Sequence, residues 1–247
     1  MFGIGIRENT VEDVRDEFSE RLAHGVFSTD KTGVKTLEIL NASFIASEDS
    51  IFGKVNLDYV KRELEWYDSG SLNVYDIPGG TPEIWEKVSS RSGEINSNYG
   101  WAIYSEANGS QYDNVLKELI ANQDTRRAQM IYTRPSMHSD YNRDGMSDFM
   151  CTSNVQYFIR DGILYTHVYM RSNDSVFGYR NDWHWQKTVA TRLVDDLVAA
   201  GIEVELGDIY WNAASLHVYS RHFYLVDHYL QTGDNHVLKK DYKGEYA

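Results

Sequence analysis

The sequence predicts an α+β fold in one domain that spans residues 1–247. Segments with strand and helix patterns follow one another without the regular alternation of a doubly wound α/β fold. No linker rich in Pro, Gly or Ser and no shift of composition marks a domain boundary. With 42% hydrophobic residues, 18 Tyr and 6 Trp, the chain can bury a sizeable core, so we expect a folded globular protein.

Apolar residues recur at helical spacing in five parts of the chain. They predict helices over residues 11–24, 57–67, 112–120, 185–200 and 215–230. The first follows an N-cap at Asn9 or Thr10, and Gly25 and Gly201 are expected to end the first and the fourth. The last predicted helix is rich in aromatic residues.

Strand patterns dominate the middle of the chain. They predict strands over residues 128–132, 155–160 and 163–169. Asp161-Gly162 separates the last two and is a strong hairpin signal, placed directly after the only cysteine. Nearer the start, residues 30–36 resemble a turn that enters a strand, and its basic residues, Lys31 among them, are candidates for a ligand loop.

Charge and cysteine content limit the classes of partner. A formal net charge of -13 disfavours nucleic acid or an anionic membrane as the main partner, because both require a cationic surface. A single cysteine excludes an internal disulfide framework and indicates a reducing compartment. Met1–Glu8 lacks a charged region followed by an apolar run, and no segment has the length of a membrane span, so we expect a cytoplasmic protein.

Cys151 is the first candidate for chemistry. A thiolate is a strong nucleophile, and a neighbouring cation stabilises it, although a lone cysteine is more often a small buried hydrophobic residue. Arg171-Ser172 can give a forked guanidinium and a hydroxyl to a phosphate, and Arg126-Arg127 can add further forks. Taken singly, each arginine is more often a solvated surface charge.

Two further residues carry open alternatives. Glu63 lies on a helical face near Leu64 and Tyr67, where it is either a catalytic carboxylate or part of a solvated face. His217 is either a ligand-binding or a core histidine. Neither an HExxH motif nor a paired-histidine spacing is present, so the sequence implies no metal.

An ordered series of segments over nearly the whole chain resembles the thymidylate synthase superfamily, and within it the phage deoxycytidylate (dCMP) hydroxymethylases. The segments are Asp30 to Gly33, Arg62 to Tyr67, Ile84-Trp85, Asn98 to Gly100, Asp124 to Arg127, Met150 to Thr152, Arg171 to Asp182 and Ser215 to Ser220. The resemblance implies a homodimeric α+β fold with a mixed β-sheet packed by helices. It also implies that the substrates are a pyrimidine deoxynucleoside monophosphate and 5,10-methylenetetrahydrofolate, the latter a cosubstrate.

The resemblance assigns roles residue by residue. Cys151 would add to C6 of the pyrimidine, with Glu63, Tyr99 and Asp182 as further catalytic residues. The implied substrate-binding residues are Lys31, Arg126, Arg127, Arg171, Ser172, Asn173, His217 and Tyr219, and the implied folate contacts are Trp85, Asp174 and Gly178. Arg126 and Arg127 would reach the phosphate across the dimer interface, while Arg171 and Ser172 would hold it in their own subunit.

The residue at position 182 indicates whether the pyrimidine of the substrate is cytosine or uracil. Thymidylate synthases have an asparagine at the matching position, whose amide both donates and accepts, as uracil requires. A carboxylate can instead accept from the 4-amino group of cytosine and share a proton with N3. A polar mismatch of this kind discriminates by roughly 10⁴ or more, so the resemblance implies dCMP as substrate, unless Asp182 forms a surface salt bridge instead.

Four differences from the synthase pattern fit the hydroxymethylase branch: Lys31 for an arginine, Thr152 for a histidine, Met170 for a glutamine and Asn181 for a phenylalanine. In that branch water, rather than a hydride, adds to the exocyclic methylene, and Glu63 is expected to position it. Two alternatives remain: a thymidylate synthase variant that acts on dUMP, and a non-catalytic nucleotide-binding or assembly subunit. The sequence leaves open whether the acidic surface docks other nucleotide enzymes.

Overall fold

The structure, a computed structural model, describes residues 8–246. Residues 1–7, which belong to the N-terminal segment considered above, lie outside that range. Eight α-helices within it are α1 (Val11–Ala23), α2 (Leu57–Ser69), α3 (Glu83–Val88), α4 (Tyr99–Tyr104), α5 (Gln111–Ala121), α6 (Met137–Asp140), α7 (Gly178–Ala199) and α8 (Phe223–Thr232). The strands are β1 (Ser28–Thr29), β2 (Lys35–Ile45), β3 (Gln129–Ile131), β4 (Thr152–Arg160), β5 (Ile163–Met170), β6 (Asn173–Asp174) and β7 (Glu205–Tyr219).

The strands form one mixed sheet in the order β1-β2-β7-β5-β4-β3, with β6 pairing with β7. β6 runs parallel to β7, whereas β2 pairs with β7 and β4 with β5 in antiparallel register. The prediction of an α+β fold with a mixed sheet is therefore confirmed. Among the described residues, no helix combines the length and the apolar run needed to cross a bilayer.

The described chain divides into two compact units. The first consists of residues 8–55, 172–183 and 208–246, and the second of Asn56–Arg171 and His184–Gly207. Each unit is assembled from separated stretches of the chain, so no linker divides them in sequence. The single domain over residues 1–247 stays a prediction.

The first unit has an aromatic core beneath α1. Thr10 caps this helix and forms a capping box with Asp13, as its position in the sequence predicts. Phe18 of α1 meets Phe52 edge to face, with ring centroids 6.0 Å apart. Tyr179 packs similarly against Trp211 of β7 at 5.0 Å. The second contact packs the start of α7 against β7, whose residues belong to the site described below.

The second unit is built around the β4–β5 hairpin. Asp161 and Gly162 both have positive φ, 51° and 74°, as a type I′ turn requires. Residues 155, 157 and 159 of β4 are buried while their neighbours are half-buried, which is the alternation of a strand with one covered face. This register places the residues just before β4 beside those just after β5.

The last predicted helix is wrong in its first part. Ser215 to Tyr219 belong to β7, and the helix begins only at Phe223. Leu216 and Val218 are fully buried and alternate with less buried neighbours, so the period is two and not 3.6. α7, by contrast, begins at Gly178, seven residues before the predicted start at Trp185.

Candidate active site

Cys151 lies half-buried at the entrance of β4, opposite Arg171 at the exit of β5. The hairpin joins them directly, because the Arg171 amide donates to the Cys151 carbonyl at 2.8 Å. Nη2 of Arg171 lies 3.8 Å from the Cys151 sulfur. The second unit therefore supplies the neighbouring cation that a nucleophilic thiolate needs.

The guanidinium of Arg171 is held in place by the loop that precedes the cysteine. Nη2 donates to the Phe149 carbonyl at 3.1 Å, and Nε donates to the Met150 carbonyl at 3.4 Å. The guanidinium carbon also lies 5.1 Å from the centre of the Phe149 ring. The position of Arg171 relative to the sulfur thus depends on the conformation of this loop.

Glu63 is buried, with 4% of its surface exposed. Tyr59 donates its hydroxyl hydrogen to Oε1 of Glu63 at 2.7 Å, and the Trp85 indole donates to the Tyr59 oxygen at 2.9 Å. Burial raises the pKa of Glu63 from 4.5 to about 7, although the hydrogen bonds from Tyr59 and Trp85 oppose the rise. The result is a carboxyl group that exchanges its proton near neutral pH.

The burial of Glu63 excludes the alternative that it is part of a solvated helix face. Glu63 is buried because of the way α2 is oriented. Its buried face consists of Val60, Glu63, Trp66 and Tyr67, while Leu57 is 64% exposed. Tyr59 was not singled out from the sequence, although its position four residues before Glu63 is the spacing at which helix side chains meet. That spacing is the signal that could have identified it.

Tyr99 is buried at the first position of α4. Its ring stacks on Tyr67 with centroids 5.2 Å apart and planes 25° apart. The next residue must be small: a Cβ on Gly100 would lie 1.8 Å from the Tyr67 carbonyl oxygen. The Asn98-Tyr99-Gly100 segment is therefore fixed by close packing of α4 on α2.

Arg126 and Arg127 are both exposed in the turn before β3. Arg127 forms an ion pair with Glu118 of α5 at 3.0 Å. The Arg126 carbonyl accepts a hydrogen bond from the Gln156 side chain at 2.8 Å, which ties this turn to β4. Both guanidinium groups are therefore accessible from outside the chain.

In the first unit, Asp182 is held by Asn173. The Asn173 amide donates to Oδ2 of Asp182 at 2.8 Å, and the Trp211 indole donates to the Asn173 oxygen at 3.2 Å. Asn173 is 2% exposed, whereas Asp182 is half-buried. Because the Trp211 bond fixes which end of the Asn173 amide faces Asp182, the carboxylate receives a donor there.

The pairing of β6 with β7 brings Asp174, His217 and Tyr219 together. Asp174 stands opposite His217 in the register, and the His217 and Tyr219 rings have centroids 5.0 Å apart. Oδ1 of Asp174 accepts from the Val176 amide at 2.9 Å, and Oδ2 lies 3.7 Å from Arg221. Burial lowers the pKa of His217, although the charge of Asp174 opposes the change, so a neutral imidazole is favoured.

Three other predicted residues belong to the first unit. Ser172 is half-buried and follows Arg171 directly. Lys31 is exposed in a turn organised by Asp30, whose Oδ1 accepts from the Thr32 amide at 2.8 Å. Gly178 starts α7, and a Cβ there would lie 3.5 Å from Asp174, an ordinary contact, so packing alone does not require this glycine.

Within each unit, therefore, some predicted residues meet and others do not. In the second unit, Cys151 lies beside Arg171. In the same unit, Tyr59 links Glu63 to Trp85. The first unit joins Asp182 to Asn173, and Asp174 to the His217–Tyr219 pair. Across residues 8–246, no three His, Cys, Asp or Glu side chains are grouped so as to hold a metal ion.

Comparison with known proteins identifies relatives along almost the entire chain. The family model described as "Thymidylate synthase" matches residues 15–240. A curated protein of Enterobacteria phage T6, "Deoxycytidylate 5-hydroxymethyltransferase", is 60% identical over 96% of this chain and 97% of its own length. The proteins of the same name from Enterobacteria phages T4 and T2 are also 60% identical, over 96% of this chain and 98% and 97% of their own lengths.

Proposed function

The chain belongs to the thymidylate synthase family, and we propose that it is a deoxycytidylate 5-hydroxymethyltransferase that converts dCMP into 5-hydroxymethyl-dCMP. The observation that carries the proposal is 60% identity to relatives of that name over 96% of the chain. The carboxylate at position 182 supports the same conclusion. Because these relatives are phage proteins, we propose that the protein acts in the cytoplasm of a host cell.

The proposed nucleophile is Cys151. Its thiolate forms a bond to C6 of the pyrimidine, which makes C5 electron-rich and able to bond to a one-carbon unit. Support comes from Arg171, whose Nη2 lies 3.8 Å from the sulfur and favours the charged form. The cycle ends when the bond between sulfur and C6 breaks and the thiolate is restored.

Asp182 is proposed to select cytosine. The Asn173 amide donates to Oδ2 of Asp182 and orients the carboxylate, which in this proposal accepts a hydrogen bond from the 4-amino group of the base. A carboxylate facing O4 of uracil would instead place two acceptors together, a mismatch that is strongly unfavourable in a desolvated site. Asn173 acts in this proposal by orienting the carboxylate and contacting the base.

Phosphate and sugar binding are assigned to the remaining polar residues. Arg171, Ser172 and Lys31 would hold the phosphate, and His217 with Tyr219 would bond to the deoxyribose hydroxyl. A neutral His217 suits this role, because it offers one donor and one acceptor nitrogen. Arg126 and Arg127 would complete the phosphate site of the other subunit in a homodimer, which their exposure permits.

Glu63 is proposed to position the water that terminates the reaction. Water adds to the exocyclic methylene carbon, which retains the hydroxyl group, and a carboxyl group with a pKa of about 7 can accept the released proton. Tyr99 is proposed to lie near the C5 proton that is lost. We expect water addition to fail in Glu63→Gln; normal hydroxymethylation by that variant would refute the role.

The family uses 5,10-methylenetetrahydrofolate, which supplies the one-carbon unit when bound, and we propose it as the cosubstrate here. The residues present fit a reduced pteridine. Trp85 is half-buried, so part of its ring remains available for stacking, and Asp174 has an oxygen engaged only in a long ion pair. Gly178 would allow a close backbone approach.

Mass analysis of the product formed in oxygen-18 water tests the proposal. The protein is incubated with methylenetetrahydrofolate and either dCMP or dUMP. We expect a hydroxymethylated product from dCMP that carries oxygen-18, and no comparable product from dUMP. Formation of dihydrofolate with dUMP would favour a thymidylate synthase variant instead.

A second measurement addresses the non-catalytic alternative. Cys151→Ser should abolish turnover while dCMP binding, measured by calorimetry, remains. Equal product formation by the wild type and this variant would remove the nucleophile from the mechanism.

A further inference from the structure

A buried carboxylate, Asp148, lies three residues before Cys151 and is 7% exposed. Its two oxygens are both occupied. Oδ2 accepts a hydrogen bond from the backbone amide of Asn96 at 2.8 Å, and Oδ1 accepts one from the Ser97 hydroxyl at 2.8 Å. The donors belong to a segment about fifty residues earlier in the chain, so these bonds fix the loop of residues 146–151 to a distant part of the second unit.

The same two segments are joined in the reverse direction. The side-chain amide of Asn96, itself 2% exposed, donates to the Asp148 carbonyl at 3.1 Å and to the Met146 sulfur at 3.0 Å. Arg134 in turn donates to the Asn96 oxygen at 2.9 Å. We call the hydrogen bonds between residues 96–97 and residues 146–148 the Asp148 clamp.

Hydrogen-bond donors and a nearby cation partly compensate the burial of the Asp148 carboxyl group. Burial raises the pKa of Asp148, and hydrogen bonds from Ser97 and Asn96 and the positive charge of Arg171 oppose the rise only in part. The groups that oppose the rise are hydrogen-bond donors of two residues and one cation. A buried carboxylate is unfavourable unless it is paired in this way, so simple core packing does not account for its presence.

We propose that Asp148 is a positioning residue for the nucleophile. It anchors the loop whose Phe149 and Met150 carbonyls bind Arg171, and it thereby holds the guanidinium next to the Cys151 sulfur. This inference rests on the proposed function, in which Cys151 is the nucleophile.

The clamp has a second consequence at its other end. Ser97 lies two residues before Tyr99, and α4 begins at Tyr99 with Asn98 as its N-cap. The clamp therefore fixes the loop that carries Cys151 relative to the start of the helix that carries Tyr99. Cys151 and Tyr99 are proposed to act on the same base, so a small displacement of one relative to the other should slow the reaction. A misplacement of about 1 Å can lower a rate by about 100-fold.

Asp148→Asn tests the proposal, with Asp144→Asn as the matched control. The asparagine keeps the shape of the side chain but has only one acceptor oxygen for the donors of residues 96 and 97. Asp144 lies two residues before that loop, has a half-exposed side chain, and forms a 3.6 Å ion pair with Arg91. For Asp148→Asn we expect kcat with dCMP to fall by about 10-fold to 100-fold, with some loss of dCMP affinity because Arg171 is also assigned to the phosphate, while Asp144→Asn behaves as wild type.

Alkylation of Cys151 by iodoacetamide gives a readout that requires no substrate. Because Arg171 should lose its place beside the sulfur, we expect the ratio of the alkylation rate at pH 7 to that at pH 10 to fall in Asp148→Asn. This ratio separates the two proposals: an altered ratio in a protein with no activity on dCMP would support the clamp and oppose the proposed function. An unchanged ratio together with an unchanged kcat would overturn the clamp.

Ser97→Ala provides a second variant in case Asp148→Asn does not fold. It removes the hydrogen bond from the Ser97 hydroxyl to Asp148. The carboxylate itself and its hydrogen bond from the Asn96 backbone amide remain. We expect a smaller loss of kcat, about threefold to tenfold, and a smaller fall of the alkylation ratio. A wild-type kcat together with a wild-type alkylation ratio in Ser97→Ala would contradict a positioning role.

Discussion

Replacing Glu63 by glutamine should change how the stability of this protein depends on pH. Its pKa in the folded protein, about 7, lies above the 4.5 of an exposed glutamate, so the folded state binds this proton more tightly than the unfolded state. The stability that the neutral carboxyl provides is therefore complete below pH 4.5 and is lost as pH rises to 7. Glutamine cannot titrate and removes this dependence.

The two pKa values give the size of the effect. Their difference corresponds to about 3 kcal/mol in total, and about 2 to 3 kcal/mol of this is lost between pH 5 and pH 8. Glu63 is 4% exposed, so solvent screening does not reduce the effect substantially. The glutamine oxygen can still accept from the Tyr59 hydroxyl, so the variant keeps that hydrogen bond.

Urea unfolding followed by tryptophan fluorescence at pH 5, 6, 7 and 8 measures this difference. We expect the free energy of unfolding of Glu63→Gln relative to wild type to rise by about 2 to 3 kcal/mol across the series. Glu65→Gln is the matched control, because Glu65 lies on the same helix with its side chain 51% exposed. Parallel pH curves for wild type and Glu63→Gln would refute the reasoning.

Three other substitutions have defined outcomes. Tyr59→Phe removes the donor 2.7 Å from Glu63, so the pKa of Glu63 should rise further and the pH profile of kcat should move to higher pH; an unmoved profile would contradict the contact. Asp182→Asn should shift the ratio of kcat/KM for dCMP over dUMP toward dUMP by about 10³-fold or more, and a ratio that stays with dCMP would remove Asp182 from base selection. Gly100→Ala places a Cβ 1.8 Å from the Tyr67 carbonyl oxygen and should lower the free energy of unfolding by about 3 kcal/mol or more, which urea titration would detect.

Local signals in the sequence were sufficient for most elements. The capping box of α1 and the Asp161-Gly162 turn depend on neighbouring residues alone, and both are present as predicted. The helix predicted from Ser215 failed because aromatic residues suit either period when only a few positions are considered. Its strand form depends on β2, where Leu37 pairs with Val218, and that partner lies far away in the chain.

In the candidate site, too, some contacts follow from local sequence and others from the pairing of distant segments. The proximity of Cys151 and Arg171 follows from the hairpin between them, which the sequence predicts. The Asp182 carboxylate depends instead on Trp211, which fixes the Asn173 amide across 38 positions of sequence. A pattern search cannot find such a bond, because it arises from the pairing of β6 with β7 and not from spacing along one element.

The tight turn at Asp161-Gly162 also bears on the order in which this chain folds. The residues that β4 and β5 pair lie close in the chain, from Arg160 with Ile163 to Thr152 with Met170, so closing the hairpin loses little loop entropy, and local contacts of this kind favour fast folding. The sulfur and its guanidinium neighbour can therefore approach each other while more remote segments are still unpaired. A protein still being synthesised on the ribosome would have this part of its chemistry assembled before β7 emerges.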